Sequence, residues 1–214
     1  KTMDYNNRRL PVYIGVGGNC TAQVIKKVRI AEYYDIKGIL SVCPYYTRPS
    51  QEGIYSHFKS IAEETPLDII MYNIPYRTGV NMENETIHKL SEIKNIVGLK
   101  DCCGNIKQTS ELLMNPPKDF SILTGEDILF FLTLTMGGHG GILSSSHMKT
   151  EMFVEVYNKI KENSQKDFLT GLFTRNYFFS IIKEKIKNCG CGFAIIMVDI
   201  DNFKMFNDNF GHQY

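Results

Sequence analysis

Lys100 closes the apolar run Ile96-Val97-Gly98-Leu99, a position where a lysine amine can do chemistry. An amine at the end of such a run is partly desolvated, which favours its neutral form. A neutral amine attacks a ketone to form an imine, and the imine turns the adjacent carbon into a nucleophile. The same position also suits a strand-terminal lysine that simply reaches water. Tyr72 ends a second run, Asp68-Ile69-Ile70-Met71, so its phenol is placed to pass protons to and from such an imine. The alternative is a packed aromatic ring with its hydroxyl bonded to a neighbour. Arg77 follows in the turn 75–79, where its fork suits a substrate carboxylate; an ordinary surface arginine is the other reading.

A second group of chemical residues lies near the C-terminus. Asp199-Ile200-Asp201 follows the run Ala194-Ile195-Ile196-Met197-Val198. Carboxylates at a strand end suit Mg²⁺, which takes a few protein oxygens together with phosphate oxygens. Lys204 and the backbone amides of a following helix start suit a polyphosphate. Taken alone, Asp199-Ile200-Asp201 fits an acidic N-cap on a helix better than a metal site.

The elements that must hold these residues follow from periodicity. Short β-branched runs at 12–16, 38–43, 68–72, 96–100, 120–124 and 141–145 alternate with amphipathic stretches at 21–34, 51–64, 83–90, 106–113, 127–136 and 148–163. Thr21 and Ser50 stand where N-caps are expected, and Asn81 falls just before the third helix. Six βα repeats imply a parallel sheet with right-handed crossovers. Both a closed barrel and a doubly wound open sheet place their sites at the C-terminal ends of strands, so spacing alone leaves the two open. Tyr45, Tyr46, Tyr72, Lys100, Gly125 and Ile142 fall at or near those ends. The pattern changes near residues 162–166. A helix is then expected over 167–187 and a strand over 193–199, which sets a domain boundary at 164–166.

Composition narrows the function. The chain has 214 residues, 43% of them hydrophobic, and a net charge of +1, which gives no footprint for nucleic acid or an anionic membrane. Cys20, Cys43, Cys102, Cys103, Cys189 and Cys191 lack the paired spacing of a zinc site and read as reduced, cytosolic thiols. His57, His88, His139, His147 and His212 form no ligand spacing and read as structural or exposed.

Four pieces, CPYYTRPSQEGIYSHFKSIAE, MYNIPYRTG, NIVGLKDCCGN and LTGED…MGGHGG, resemble the dihydrodipicolinate synthase and N-acetylneuraminate lyase family over about residues 5–163. The resemblance implies a (β/α)8 TIM barrel, present here as a partial barrel of about six βα units. The family's first two strands and its Gly-Thr-Thr-Gly-Glu loop are expected before Lys1. It also implies that Lys100 is the Schiff-base lysine and Tyr72 the catalytic tyrosine. Tyr46 then acts as a relay across a dimer interface, with Tyr45 as its packing neighbour. Gly125 and Ile142 line the pocket, Ile142 through its backbone. Arg77 points to the synthase branch, which condenses pyruvate with aspartate semialdehyde in lysine biosynthesis. No organic cofactor is implied, and a cytoplasmic homo-oligomer is. Tyr76, Leu143, His147 and Gln23 depart from the family's pattern.

Residues 167–212, with DFLTGL, Arg175, Phe178 and DIDNFKMFNDNFGH, resemble the N-terminal half of a GGDEF (diguanylate cyclase) domain, which gives domains at 1–164 and 165–214. The resemblance implies a Mg²⁺ ligand at Asp199, contacts from Asn202, Phe203 and Lys204 to the phosphates of GTP, and guanine reading by Asn207. The metal-binding turn of that domain is expected beyond Tyr214, so turnover is not expected from this segment.

Overall fold

The computed structural model describes residues 1–165, 172–174, 177–178 and 181–182. Two compact units divide the chain, Lys1–Glu162 and Asn163–Tyr214. The first opens with a short helix α1 (Thr2–Asn6) and then runs β1 (Tyr13–Gly15), α2 (Thr21–Ala31), β2 (Gly38–Val42), α3 (Gln51–Glu63) and β3 (Asp68–Asn73). It continues with α4 (Pro75–Thr78), α5 (Asn84–Ser91), β4 (Ile96–Asp101), α6 (Ile106–Met114), β5 (Ser121–Thr124), α7 (Phe130–Thr135), β6 (Gly140–Gly141) and α8 (Thr150–Gln165). The six strands form one sheet in the order β1-β2-β3-β4-β5-β6, every pair parallel. Each strand therefore pairs with its chain neighbour, as a half-barrel requires.

One face of the sheet carries the core. Ile39, Ile69, Met71, Leu99 and Ile122 are fully buried against Val24 and Val28 of α2, Ile54, Phe58 and Ile61 of α3, Ile87 and Leu90 of α5, and Leu112 of α6. Each fully buried aliphatic or aromatic side chain of this kind contributes about 1.5–3 kcal/mol. The opposite face carries the alternating residues Leu40, Val42, Tyr72, Lys100 and Leu123, all half-buried. In a closed barrel that face is the interior.

Strand β4 breaks the alternation. Ile96 and Leu99 both belong to the core although three positions separate them. The β3–β4 register accounts for this: Ile69 pairs with Ile96 but Ile70 pairs with Gly98, so Val97 is an extra residue. Such a bulge shifts every later side chain by one position and so to the other face. It puts Lys100, rather than Leu99, opposite Tyr72.

Several boundaries differ from those the sequence suggests. The N-cap of α2 is Cys20 rather than Thr21, whose hydroxyl instead bonds His57 Nδ1 at 2.8 Å. Ser50 does cap α3, accepting from the Gly53 N–H at 3.2 Å. Glu83, not Asn81, precedes α5; Asn81 is held in an amide network by Asn73 and Gln108, at 2.9 and 2.7 Å. The expected helix at 127–136 begins as a 3₁₀ turn, Asp127–Leu129, before α7. The last strand is only Gly140–Gly141, and Ser145–His147 is a 3₁₀ turn rather than strand. Leu143 is buried with Phe130 and Leu134 under α8, which is why a large apolar residue stands there. Among the described residues, no helix is long and apolar enough to cross a membrane.

Candidate active site

Tyr72 and Lys100 are register partners on β3 and β4, and both side chains leave the sheet on the half-barrel's inner face. Lys100 Nζ lies over the Tyr72 ring, 4.3 Å from its centroid. As an ammonium, Lys100 is attracted to that face by the ring's quadrupole, which holds it beside Tyr72. The Tyr72 hydroxyl meets Cys102 Sγ at 4.0 Å. Burial first, and the neighbouring Cys102 next, push the Tyr72 phenol well above its ordinary range, against a smaller opposing pull from Arg77. The phenol therefore keeps its proton at neutral pH and serves as a donor.

Gly125, one residue past β5, makes room for the lysine. A Cβ at that position would overlap Cys102 Sγ and stand 2.5 Å from Lys100 Cε. Its N–H donates to the Asp101 carbonyl at 2.8 Å, which ties the end of β5 to the end of β4.

Arg77 sits in the short helix α4, which begins at Pro75 and ends on Gly79 with a left-handed φ of 77°. The Thr78 hydroxyl pins that turn by donating to the Ile74 carbonyl at 3.1 Å and the Val80 carbonyl at 2.9 Å. The guanidinium is exposed and lies over the Tyr76 ring, 5.6 Å from its centroid. Arg77, Tyr72 and Tyr45 line one cavity of about 400 Å³ at the C-terminal ends of β1, β2 and β3.

The other expected residues are distributed differently. Tyr46 is 87% exposed with a left-handed φ of 71°, and it lines an adjoining cavity with Tyr45, Tyr76 and Arg77 rather than the one that Tyr72 lines. Ile142 directly follows β6 and donates its N–H to the Thr124 carbonyl at 2.8 Å. Asp199, Asn202, Phe203, Lys204 and Asn207 lie outside the described residues. Among the described residues, no group of three or more His, Cys, Asp or Glu side chains is placed to hold a metal ion. Cys20, Cys43, Cys102 and Cys103 are free thiols.

Two features of the site were not anticipated. One is Cys102, 2% exposed, as the neighbour of the tyrosine hydroxyl. The other is the bulge at Val97; the three-residue spacing of Ile96 and Leu99 in IVGLKD is the signal that could have revealed it.

Known proteins share this fold. The profile of the Dihydrodipicolinate synthetase family matches residues 1–191, beyond the boundary expected at 164–166 and into the segment expected to resemble a cyclase domain. The chain is 59% identical over 169 residues to 4-hydroxy-tetrahydrodipicolinate synthase 2 of Clostridium acetobutylicum, covering 79% of this chain and 59% of that relative. It thus spans less than two thirds of that relative's length. Dihydrodipicolinate synthase from Thermotoga maritima superimposes with a TM-score of 0.67 at 35% identity, over 75% of this chain and 59% of that one. A dihydrodipicolinate synthase from Acinetobacter baumannii, solved in complex with pyruvate, gives a TM-score of 0.70 at 26% identity, over 97% of this chain and 76% of that one. By the extent of the profile match and the level of identity, this half-barrel with its paired lysine and tyrosine belongs to the dihydrodipicolinate synthetase family.

Proposed function

We propose that this chain carries the Schiff-base site of a 4-hydroxy-tetrahydrodipicolinate synthase, a pyruvate-dependent lyase that condenses pyruvate with aspartate semialdehyde. The observation that supports this reading most directly is the Lys100 amine, 4.3 Å above the ring of its register partner Tyr72. The named relative and the pyruvate complex of the Acinetobacter baumannii enzyme support it in turn.

In this mechanism the Lys100 amine, once it has given up its proton, adds to the C2 carbonyl of pyruvate. The resulting carbinolamine loses water with the help of the Tyr72 proton and becomes an imine. The Tyr72 phenolate left by that step takes a proton from C3 to give an enamine, which attacks the aldehyde carbon of the second substrate; Tyr72 returns the proton to the new alkoxide, and water hydrolyses the remaining imine to free Lys100. Arg77 holds that substrate's carboxylate through its two-pronged guanidinium. Gly125 and the Ile142 backbone shape the pocket. Tyr46, exposed on its left-handed turn, is assigned a proton-relay role toward a second copy of the chain. The lysine supplies the electron sink, so the chemistry calls for no organic cofactor.

Borohydride reduction in the presence of pyruvate tests the reading. A single reduced adduct on Lys100 in the intact chain, lost in Lys100→Ala and slowed strongly in Tyr72→Phe, is the expected result. No adduct, or an adduct that survives in Lys100→Ala, overturns it. For residues 165–214, Mg²⁺–GTP binding through Asp199, Asn202, Phe203, Lys204 and Asn207 is a separate proposal supported by the DIDNFKMFNDNFGH motif alone. Calorimetry with Mg²⁺–GTP tests it, and an absence of heat refutes it.

A further inference from the structure

We propose that Cys102 is a positioning residue for the Tyr72 hydroxyl: its thiol donates to the phenol oxygen and leaves the phenol's own proton directed toward the imine. This rests on the roles given above to Lys100 and Tyr72. The contact is Cys102 Sγ to Tyr72 Oη, 4.0 Å. A phenol oxygen that accepts on one side turns its O–H away from the donor, so the sulfur fixes the orientation of the rotor.

The sulfur's own position is built in. The Cys102 N–H donates to the Asn73 carbonyl at 2.8 Å, tying this residue to the strand that carries Tyr72. The preceding Asp101 is clamped through its carboxylate, which accepts from the Cys103 N–H at 3.0 Å and the Thr109 hydroxyl at 2.6 Å. The missing side chain at Gly125 leaves space that Cys102 Sγ and Lys100 Cε fill together. The thiol therefore stands beside both proposed reacting side chains.

Its chemistry suits donation. Burial pushes the Cys102 thiol up to about 11, against lowering by Lys100 and by the contact with Tyr72, so it stays S–H through the neutral range. A thiol that is 2% exposed and protonated is a poor nucleophile and a poor redox centre, but it can still donate a hydrogen bond.

The test compares the intact chain with Cys102→Ala and Cys102→Ser. The readouts are the rate of pyruvate–borohydride adduct formation at Lys100 and the Tyr72 Cζ resonance at neutral pH, followed by ¹³C NMR of labelled tyrosine and assigned with Tyr72→Phe. Cys102→Ala is expected to slow adduct formation about two- to threefold, the lower end of one hydrogen bond's worth, and to shift the Tyr72 Cζ resonance. Cys102→Ser, which keeps a donor, is expected to recover most of the rate and of the resonance position. A slowed rate with an unmoved resonance and no recovery in serine means packing alone and overturns the proposal, as does a wild-type rate in Cys102→Ala. If the unsubstituted chain forms no adduct, the Lys100 reading fails by itself. The Tyr72 resonance then decides the contact: shifted in Cys102→Ala it stands, unmoved it falls.

Discussion

Gly125→Ala adds one methyl group and tests the geometry of the site directly. The φ of Gly125 lies outside the left-handed region, so alanine meets no backbone strain there. The new Cβ overlaps Cys102 Sγ, stands 2.5 Å from Lys100 Cε and 3.3 Å from Lys100 Cγ. Ordinary carbon contacts lie at about 3.5–4.0 Å, so the lysine stem must withdraw by roughly 1 Å. Overpacking of this kind costs about 1–3 kcal/mol of stability. A displacement of about 1 Å at a reacting atom costs on the order of 100-fold in rate. The assay is the pyruvate–borohydride rate at Lys100, read beside the thermal midpoint. The double variant Gly125→Ala/Cys102→Ala relieves the sulfur overlap but keeps the lysine contact, so stability should recover further than the trapping rate. A Gly125→Ala protein that traps pyruvate at the wild-type rate refutes the placement of Lys100.

Three other expectations concern the frame of the site. His57 is 3% exposed and burial lowers its pKa to about 4. Above pH about 6.5 the folded and unfolded forms are both neutral, but below it only the unfolded chain takes up the proton. Stability should therefore fall by about 3 kcal/mol between pH 6.5 and 4, and urea titrations should show His57→Gln flattening that slope. Asn73, fully buried, gives its amide to Asn81 Oδ1 at 2.9 Å and accepts from the Met82 N–H at 3.0 Å; Asn73→Ala should cost about 2 kcal/mol, measured by urea unfolding. Of the four described cysteines, exposed Cys20 should be alkylated first in the native protein. Cys43, fully buried and pushed up to about 12, should be labelled only on unfolding, as peptide mapping by mass spectrometry would show.

Much of the architecture was legible because burial writes it in period two and period 3.6. Each of the six expected strands appears, and α2, α3 and α6 start at the expected residue. That Lys100 and Tyr72 close neighbouring apolar runs was legible, but their register partnership depends on the bulge at Val97, which was not. What escaped the pattern was decided by contacts between distant residues. Thr21 has the chemistry of a cap, but His57, 36 residues away, takes its hydroxyl. The short final strand reflects glycines that offer no side chain to pack: Gly140 adopts φ 154°, and Gly141 carries the sheet no further. Cys102 reads as an ordinary thiol until the sheet brings Tyr72 beside it. Tyr46 is a matter of backbone hand, which a lone tyrosine in Pro44-Tyr45-Tyr46 does not advertise.

Pairing every strand with its immediate predecessor makes this architecture modular. The alignment of Tyr72 against Lys100 needs only the short excursion of chain between β3 and β4, closed by a single intervening helical layer. The next repeat then supplies Gly125, whose bare backbone leaves the lysine stem its room, so three successive strands suffice to frame the pair.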